Sequence, residues 1–196
     1  MSSLISDTAV SLPAPALRPF ITGYAGFRVS GLPPGVHFGL PSSDVDLIIS
    51  LDRRIDVVQM PNSRQRPSAF KALVSGLQDA PAGVRQYSEV FGLHVFIKPL
   101  GVRSILGVPN AEISSLVLNL SDIWGNRARD LIEMLLAANT WHQRFAILDH
   151  VVHVRAQYVP GVQRVLDVNG PGALETRRRA CGVCLRRTSC APARRL

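Results

Sequence analysis

The chain has 196 residues, 46% hydrophobic and 18% charged, enough to bury a core without disulfide or metal staples and too apolar for a disordered polymer. No apolar run approaches the ~18 residues of a membrane span, and no Lys or Arg precedes Arg18, so neither a membrane segment nor a secretory leader is expected, and the cytoplasm is the default location. The net charge of +8 is uneven: residues 160–196 hold eight Arg against Asp167 and Glu175, a net of +6, which leaves +2 for everything before them.

In chain order, residues 1–16 are a polar, Pro-containing lead-in and read as an irregular arm. Residues 21–29 mix β-branched and aromatic side chains with Gly23 and Gly26 and end at the dense turn signal SGLPPG, so they read as a strand. A second extended piece, VHFGL, stops at Pro41-Ser42-Ser43. The β-branched run VDLIISL, residues 45–51, predicts a strand buried on at least one face, and RIDVVQM after a tight turn suits a hairpin partner. Residues 61–70 read as a polar loop, and residues 72–78 and 90–99 as two more strands around a loop with Pro81 and Gly83. Six or so short strands at roughly 8–12-residue spacing predict an antiparallel sandwich or small barrel.

After Pro99 the period changes from two to that of a helix. LGVRSILG predicts a short helix stopped by Gly107, a residue tolerant of the left-handed position past a helix end. A turn near Ala111, a short extended piece and a turn over DIW capped by Ser121 follow. Asn126 opens a longer helix with Leu131, Met134, Leu135 and Ala138 on one face, ended by Asn139. Thr140 and Gln143 have capping-box spacing, and the helix they start aligns Trp141, Phe145, Leu148 and Val152 and runs to about Gln157. Two such helices joined by a short link predict an antiparallel pair. The fold class is therefore α+β, with a basic, irregular C-terminal tail.

Motifs for chemistry are sparse. There is no GxSxG elbow, HEXXH, Walker loop or GxGxxG after a strand, and no Cys outside the tail, so no enzyme is expected. Cys181, Cys184 and Cys190 include the spacing of half a zinc site, but three thiols without a His fall short of four ligands, and they read as free thiols. His37 and His94 lie on extended pieces; His142, His150 and His153 lie on the last helix and read as solvent or interface residues. Without an H-x-H pair on a strand, neither a metal nor any other cofactor is expected. Tyr24, Phe27 and Phe96 suit either a barrel interior or plain core, and Trp141 suits a packing anchor. Asp44 and Asp46 alternate about Val45 and so share a face, the solvent side for a pair at a strand's start. Arg177, Arg178, Arg179, Arg186 and Arg187 could reach phosphates, but only without sequence preference.

Residues 17–52 (LRPFITGYAGFRVSGLPPGVHFGLPSSDVDLIISLD), then LVSGLQ at 73–78 and residues 96–125 (FIKPLGVRSILGVPNAEISSLVLNLSDIWG), resemble the N-terminal domain of one group of bacterial AraC/XylS-family regulators. The helices around Thr140-Trp141 and Arg144-Phe145 fit the end of that domain, so the resemblance covers residues 17–157. It implies a cupin-like β-barrel followed by helices that dimerise, a small-molecule effector, and a C-terminal pair of helix-turn-helix units reading DNA. Tyr24, His37 and Phe96 are the expected ligand contacts. The resemblance lapses after VPGVQRVLDV: NGPGALETRRRACGVCLRRTSCAPARRL has no apolar helical period, as a shifted reading frame in GC-rich DNA would produce. The expected organisation is an arm at 1–16, a sensor and dimerisation domain at 17–157, and at 158–196 a disordered remnant of the linker and DNA-binding region. Two other classes compete with a regulator sensor domain lacking functional DNA reading. One is a freestanding cupin-like binding protein with a nucleic-acid-contacting tail; the other, disfavoured by the missing His pairs, is a cupin-type metalloenzyme.

Overall fold

The computed structural model describes residues 4–157. Its strands are β1 (Ile5–Ser11), β2 (Ile21–Ser30), β3 (Gly35–Gly39), β4 (Val45–Ser50), β5 (Ile55–Gln59), β6 (Ser68–Phe70), β7 (Ala72–Ser75), β8 (Ala82–Gln86), β9 (Glu89–Ile97) and β10 (Val117–Asn119). The helices are α1 (Val102–Leu106), α2 (Asn110–Ile113), α3 (Leu120–Trp124), α4 (Asn126–Ala137) and α5 (Trp141–Gln157). Two antiparallel sheets form, one ordered β1-β2-β9-β4-β7-β10 and the other β3-β8-β5-β6. No helix among the described residues is long and apolar enough to cross a membrane.

Alternation along the central strands divides the six-stranded sheet into two chemically different faces. Val45, Leu47 and Ile49 of β4 and Leu93, Val95 and Ile97 of β9 are completely buried. They share the main core with Leu131 and Leu135 of α4 and Leu148 and Val152 of α5. Burying each such side chain contributes about 1.5–3 kcal/mol, so this layer of sheet against helices is the chief source of stability. The opposite face, with Asp46, Ile48, Leu73, Ser75, His94 and Phe96, turns toward the smaller sheet. A minor cluster of Val57, Met60, Phe70, Leu73 and Val117 joins the two sheets there.

The helical half follows most of its sequence signals, although Met134, expected on the buried face of α4 with Leu131 and Leu135, is 42% exposed. Gly107 takes φ 83° after α1, as a left-handed helix stop. Thr140 and Gln143 form the capping box: the Gln143 N–H donates to Thr140 Oγ1 at 3.2 Å, and Gln143 Oε1 accepts from the Thr140 N–H at 3.2 Å. Phe145, Leu148 and Val152 are buried along one face of α5 as their spacing predicts.

Five details correct the sequence expectations. The lead-in is no irregular arm beyond its first residues: β1 pairs with β2 from Ile5↔Ser30 to Ser11↔Tyr24. Its side chains are mostly exposed, so backbone bonding makes this strand and hydrophobic patterning could not announce it. The loop at 61–70 ends in β6, and the loop with Pro81 and Gly83 contains β8. Here a Cβ on Gly83 would lie 2.9 Å from Gln59 Cβ, so glycine permits the close pairing of β8 with β5. β5 is no hairpin partner of β4, because β4 pairs with β9 and β7 while β5 joins the other sheet. Finally, Asn119 rather than Ser121 caps α3, its side chain accepting from the Ser121 N–H at 3.4 Å.

Candidate ligand-binding cavity

The two sheets do not close on each other along their whole length. Between them lies a cavity of about 630 Å³, inside the ~300–1,000 Å³ range of small-molecule sites. Its walls include Phe27 (β2), Ile48 (β4), Leu73 (β7), Val84 (β8) and Phe96 (β9). Phe27, Ile48, Val84 and Phe96 are only half-buried although they point between two sheets. That is apolar surface the fold itself leaves uncovered.

Polar groups stand at two places in this cavity. On the floor, His94 Nε2 meets Asp46 Oδ1 at 2.9 Å, and the His94 ring lies against Phe96 with centroids 3.9 Å apart. The strand register explains the cluster: Asp46 pairs with Phe96 on one side and Ser75 on the other, while His94 pairs with Ile48. Gln78, just past β7, donates from Nε2 to Ser75 Oγ at 3.2 Å and to the Leu116 carbonyl at 3.0 Å. Those two bonds fix the amide's orientation, and Gln78 Oε1 is buried without a hydrogen-bond partner among the described residues.

The second polar group belongs to the turn after β4 and the end of β8. Ser50 Oγ lies 2.7 Å from Asp52 Oδ1 and 2.5 Å from the Arg53 carbonyl, which tightens that turn. The Arg53 guanidinium sits 4.4 Å from the Tyr87 ring centroid, and the Tyr87 hydroxyl donates to Asp56. Asp56, which also pairs with Arg85 at 3.8 Å, pushes the Tyr87 phenol above its ordinary range through that hydrogen bond.

Of the three expected ligand contacts, His37 and Phe96 line the cavity, His37 from the exposed β3 at its rim. Tyr24 does not. It is buried on the helix side of β2, stacks on Phe145 at 6.0 Å, and donates its hydroxyl to Asp149 Oδ1 at 2.8 Å. The reason is register: a shift between Ile21 and Gly23 sets Tyr24 on the core face and Phe27 on the cavity face. Asp46 is likewise corrected, since it faces the cavity and not solvent, whereas Asp44 is not among the lining residues. His94, Asp46, Ser75 and Gln78 were missed as a group. Their one sequence signal was polarity at alternate positions of apolar strands, and that signal is silent about whether a second sheet covers them.

Trp141 is a packing residue, its ring on Gly26 and its indole N–H donating to Asp7 at 3.1 Å. Among the histidines of α5, His150 is exposed and His153 Nε2 lies 2.9 Å from Gln157 Nε2. No group of three or more His, Cys, Asp or Glu placed to hold a metal ion occurs among the described residues. The three cysteines and the proposed phosphate contacts Arg177, Arg178, Arg179, Arg186 and Arg187 lie outside the described residues. No protein-family model matches the chain, and no curated protein shows significant similarity to it.

Proposed function

We propose that this chain is the ligand-sensing and dimerising N-terminal part of an AraC-type transcription regulator, cytoplasmic and non-enzymatic, whose specific reading of DNA is lost in residues 158–196. The observation that carries the sensing role is the cavity of about 630 Å³ between the sheets, with half-buried apolar walls and a His–Asp pair on its floor. Nine strands followed by five helices, with the short strand β10 inserted after α2, is an order compatible with a cupin-like barrel and its trailing helices. An antiparallel α4–α5 pair would leave Leu136 of α4, 48% exposed, as an apolar side chain that a homodimer could cover.

Sensing is tested with the full chain by thermal shift against a library of small apolar and aromatic molecules, with Ile48→Phe and Val84→Phe as cavity-blocked variants. Hits that stabilise the wild type and are lost in both blocked variants support the role; hits indifferent to the blocking, or none, overturn it. Output is tested by binding to the upstream DNA of its own gene, near physiological salt with excess competitor. Specific binding there would overturn the loss of DNA reading. The net +6 of residues 160–196 favours a second reading, a freestanding cupin-like binding protein with a nucleic-acid-contacting tail. A salt-dependent shift without sequence preference, abolished by deleting residues 170–196, would support that one.

A further inference from the structure

The two polar groups of the cavity differ in sign and position, and that difference selects among ligands. Arg53, Arg54 and Arg85 line the cavity from the turn after β4 and from β8. Asp46 stands at the other end of β4, four residues from Ser50, or ~13 Å along an extended strand. Among the described residues, the basic group in an ion pair with Asp46 is His94. A carboxylate accepts hydrogen bonds, and Asp46 Oδ1 meets His94 Nε2 at 2.9 Å. Asp46 Oδ2 is the further acceptor of that carboxylate, and Gln78, whose Oε1 is buried without a partner among the described residues, lines the same cavity. Gln78 cannot rotate to offer its NH₂ without giving up the bonds to Ser75 and Leu116. The floor therefore presents a carboxylate acceptor at the end of β4 away from Arg53 and Arg54, set in walls of Ile48, Leu73 and Phe96.

We infer that the cavity takes an apolar, ring-sized molecule whose head donates hydrogen bonds, an amine or a hydroxyl, to Asp46 on the floor, and that it discriminates against carboxylates there. An ammonium head gains most, because charge-assisted bonds to a carboxylate exceed neutral ones in strength. A carboxylate head in the same place would meet the like charge of Asp46. This selectivity rests on the cavity being a ligand site at all, and the test separates the two.

The probes are phenethylamine, phenethyl alcohol, ethylbenzene and phenylpropionate, which present four heads on one apolar body. Each is titrated at up to millimolar concentration into the full chain, followed by the methyl NMR signals of Ile48, Leu73 and Val84. The expected order is amine, then alcohol, then ethylbenzene, with phenylpropionate weakest and amine and carboxylate separated by roughly ten-fold or more. Asp46→Asn should abolish most of the amine's advantage and leave ethylbenzene unchanged. The wild-type order decides the matter by itself should that variant fail to fold. Equal binding of all four heads would leave the cavity a ligand site but overturn the selectivity, as would a preference for the carboxylate. Methyl signals unmoved by every probe would overturn both.

Discussion

Asp149 of α5 gathers the one buried phenol of the main core and the backbone before β2: it accepts from the Tyr24 hydroxyl at 2.8 Å and from the Ala14 N–H at 3.1 and 3.2 Å. Burial first, and Asp149 after it, hold the Tyr24 phenol far above its ordinary range, so it stays protonated in the folded chain. Linkage then sets the sign. Below the unfolded-state value near 10 both states keep the proton and stability does not depend on it. Above pH ~10 the unfolded chain loses a proton that the folded chain retains, and stability falls by about 1.4 kcal/mol per pH unit from this group. Urea midpoints measured from pH 8 to pH 11 should fall more steeply for the wild type than for Tyr24→Phe, which should cost about 1 kcal/mol at neutral pH. Equal slopes would mean that the phenol is not insulated. Arg144 acts elsewhere on the same helix: buried, it donates to the carbonyls of Leu135 at 3.2 Å and Ala138 at 2.5 Å and so closes the end of α4. Arg144→Met keeps the packing volume but strands both carbonyls, for a loss of about 2 kcal/mol, read as a Tm several degrees lower.

At the level of elements, α5 ties the molecule together. Its first residue, Trp141, lies flat enough on β2 that a Cβ on Gly26 would stand 2.3 Å from the ring, and Phe91 meets the same ring edge-on at 5.7 Å. Near its end Arg155 lies over the Trp124 ring at 4.9 Å and donates to the Ile105 and Leu106 carbonyls at 3.4 and 3.3 Å, closing α1. Gly26→Ala should therefore destabilise by about 1–3 kcal/mol through overpacking. Trp141→Leu, itself destabilising, should relieve most of that penalty in the double variant. A thermodynamic cycle with no coupling between the two sites would contradict the contact. The capping box and the spacing of Phe145, Leu148 and Val152 made α5 legible in the sequence. Its targets on β2 and α1 were not, because they lie far away in the chain and share no local pattern with it.

For the whole molecule the consequence is a division of labour between the two faces of one sheet. The face toward the helices is dry and filled, while the face toward the smaller sheet keeps a cavity of about 630 Å³. Filling that space should cost little and could help, since the walls already contain uncovered apolar surface. Ile48→Phe is expected to hold the Tm or raise it by up to about 1 kcal/mol equivalent, measured by calorimetry, whereas Leu47→Phe on the filled face should lower stability by about 1–3 kcal/mol. If both behave alike, the asymmetry of the two faces is not real.

Local pattern by itself determined the α+β class, seven strand positions close to those observed, and all five helical segments, because hydrophobic period, glycine stops and caps are properties of neighbouring residues. The resemblance pointed to Tyr24, His37 and Phe96, of which His37 and Phe96 line the cavity. Tertiary structure alone decided the rest. Strand β1 exists by pairing its backbone to β2, and β4 and β5 part into different sheets. A register shift at the start of β2 sends Tyr24 to the core and Phe27 to the cavity. Asp46 and His94, 48 positions apart in the chain, meet because β4 and β9 are neighbours in the sheet. Alternation tells which residues share a face of a strand, but only the packing of sheet on sheet makes one face a core and the other a site.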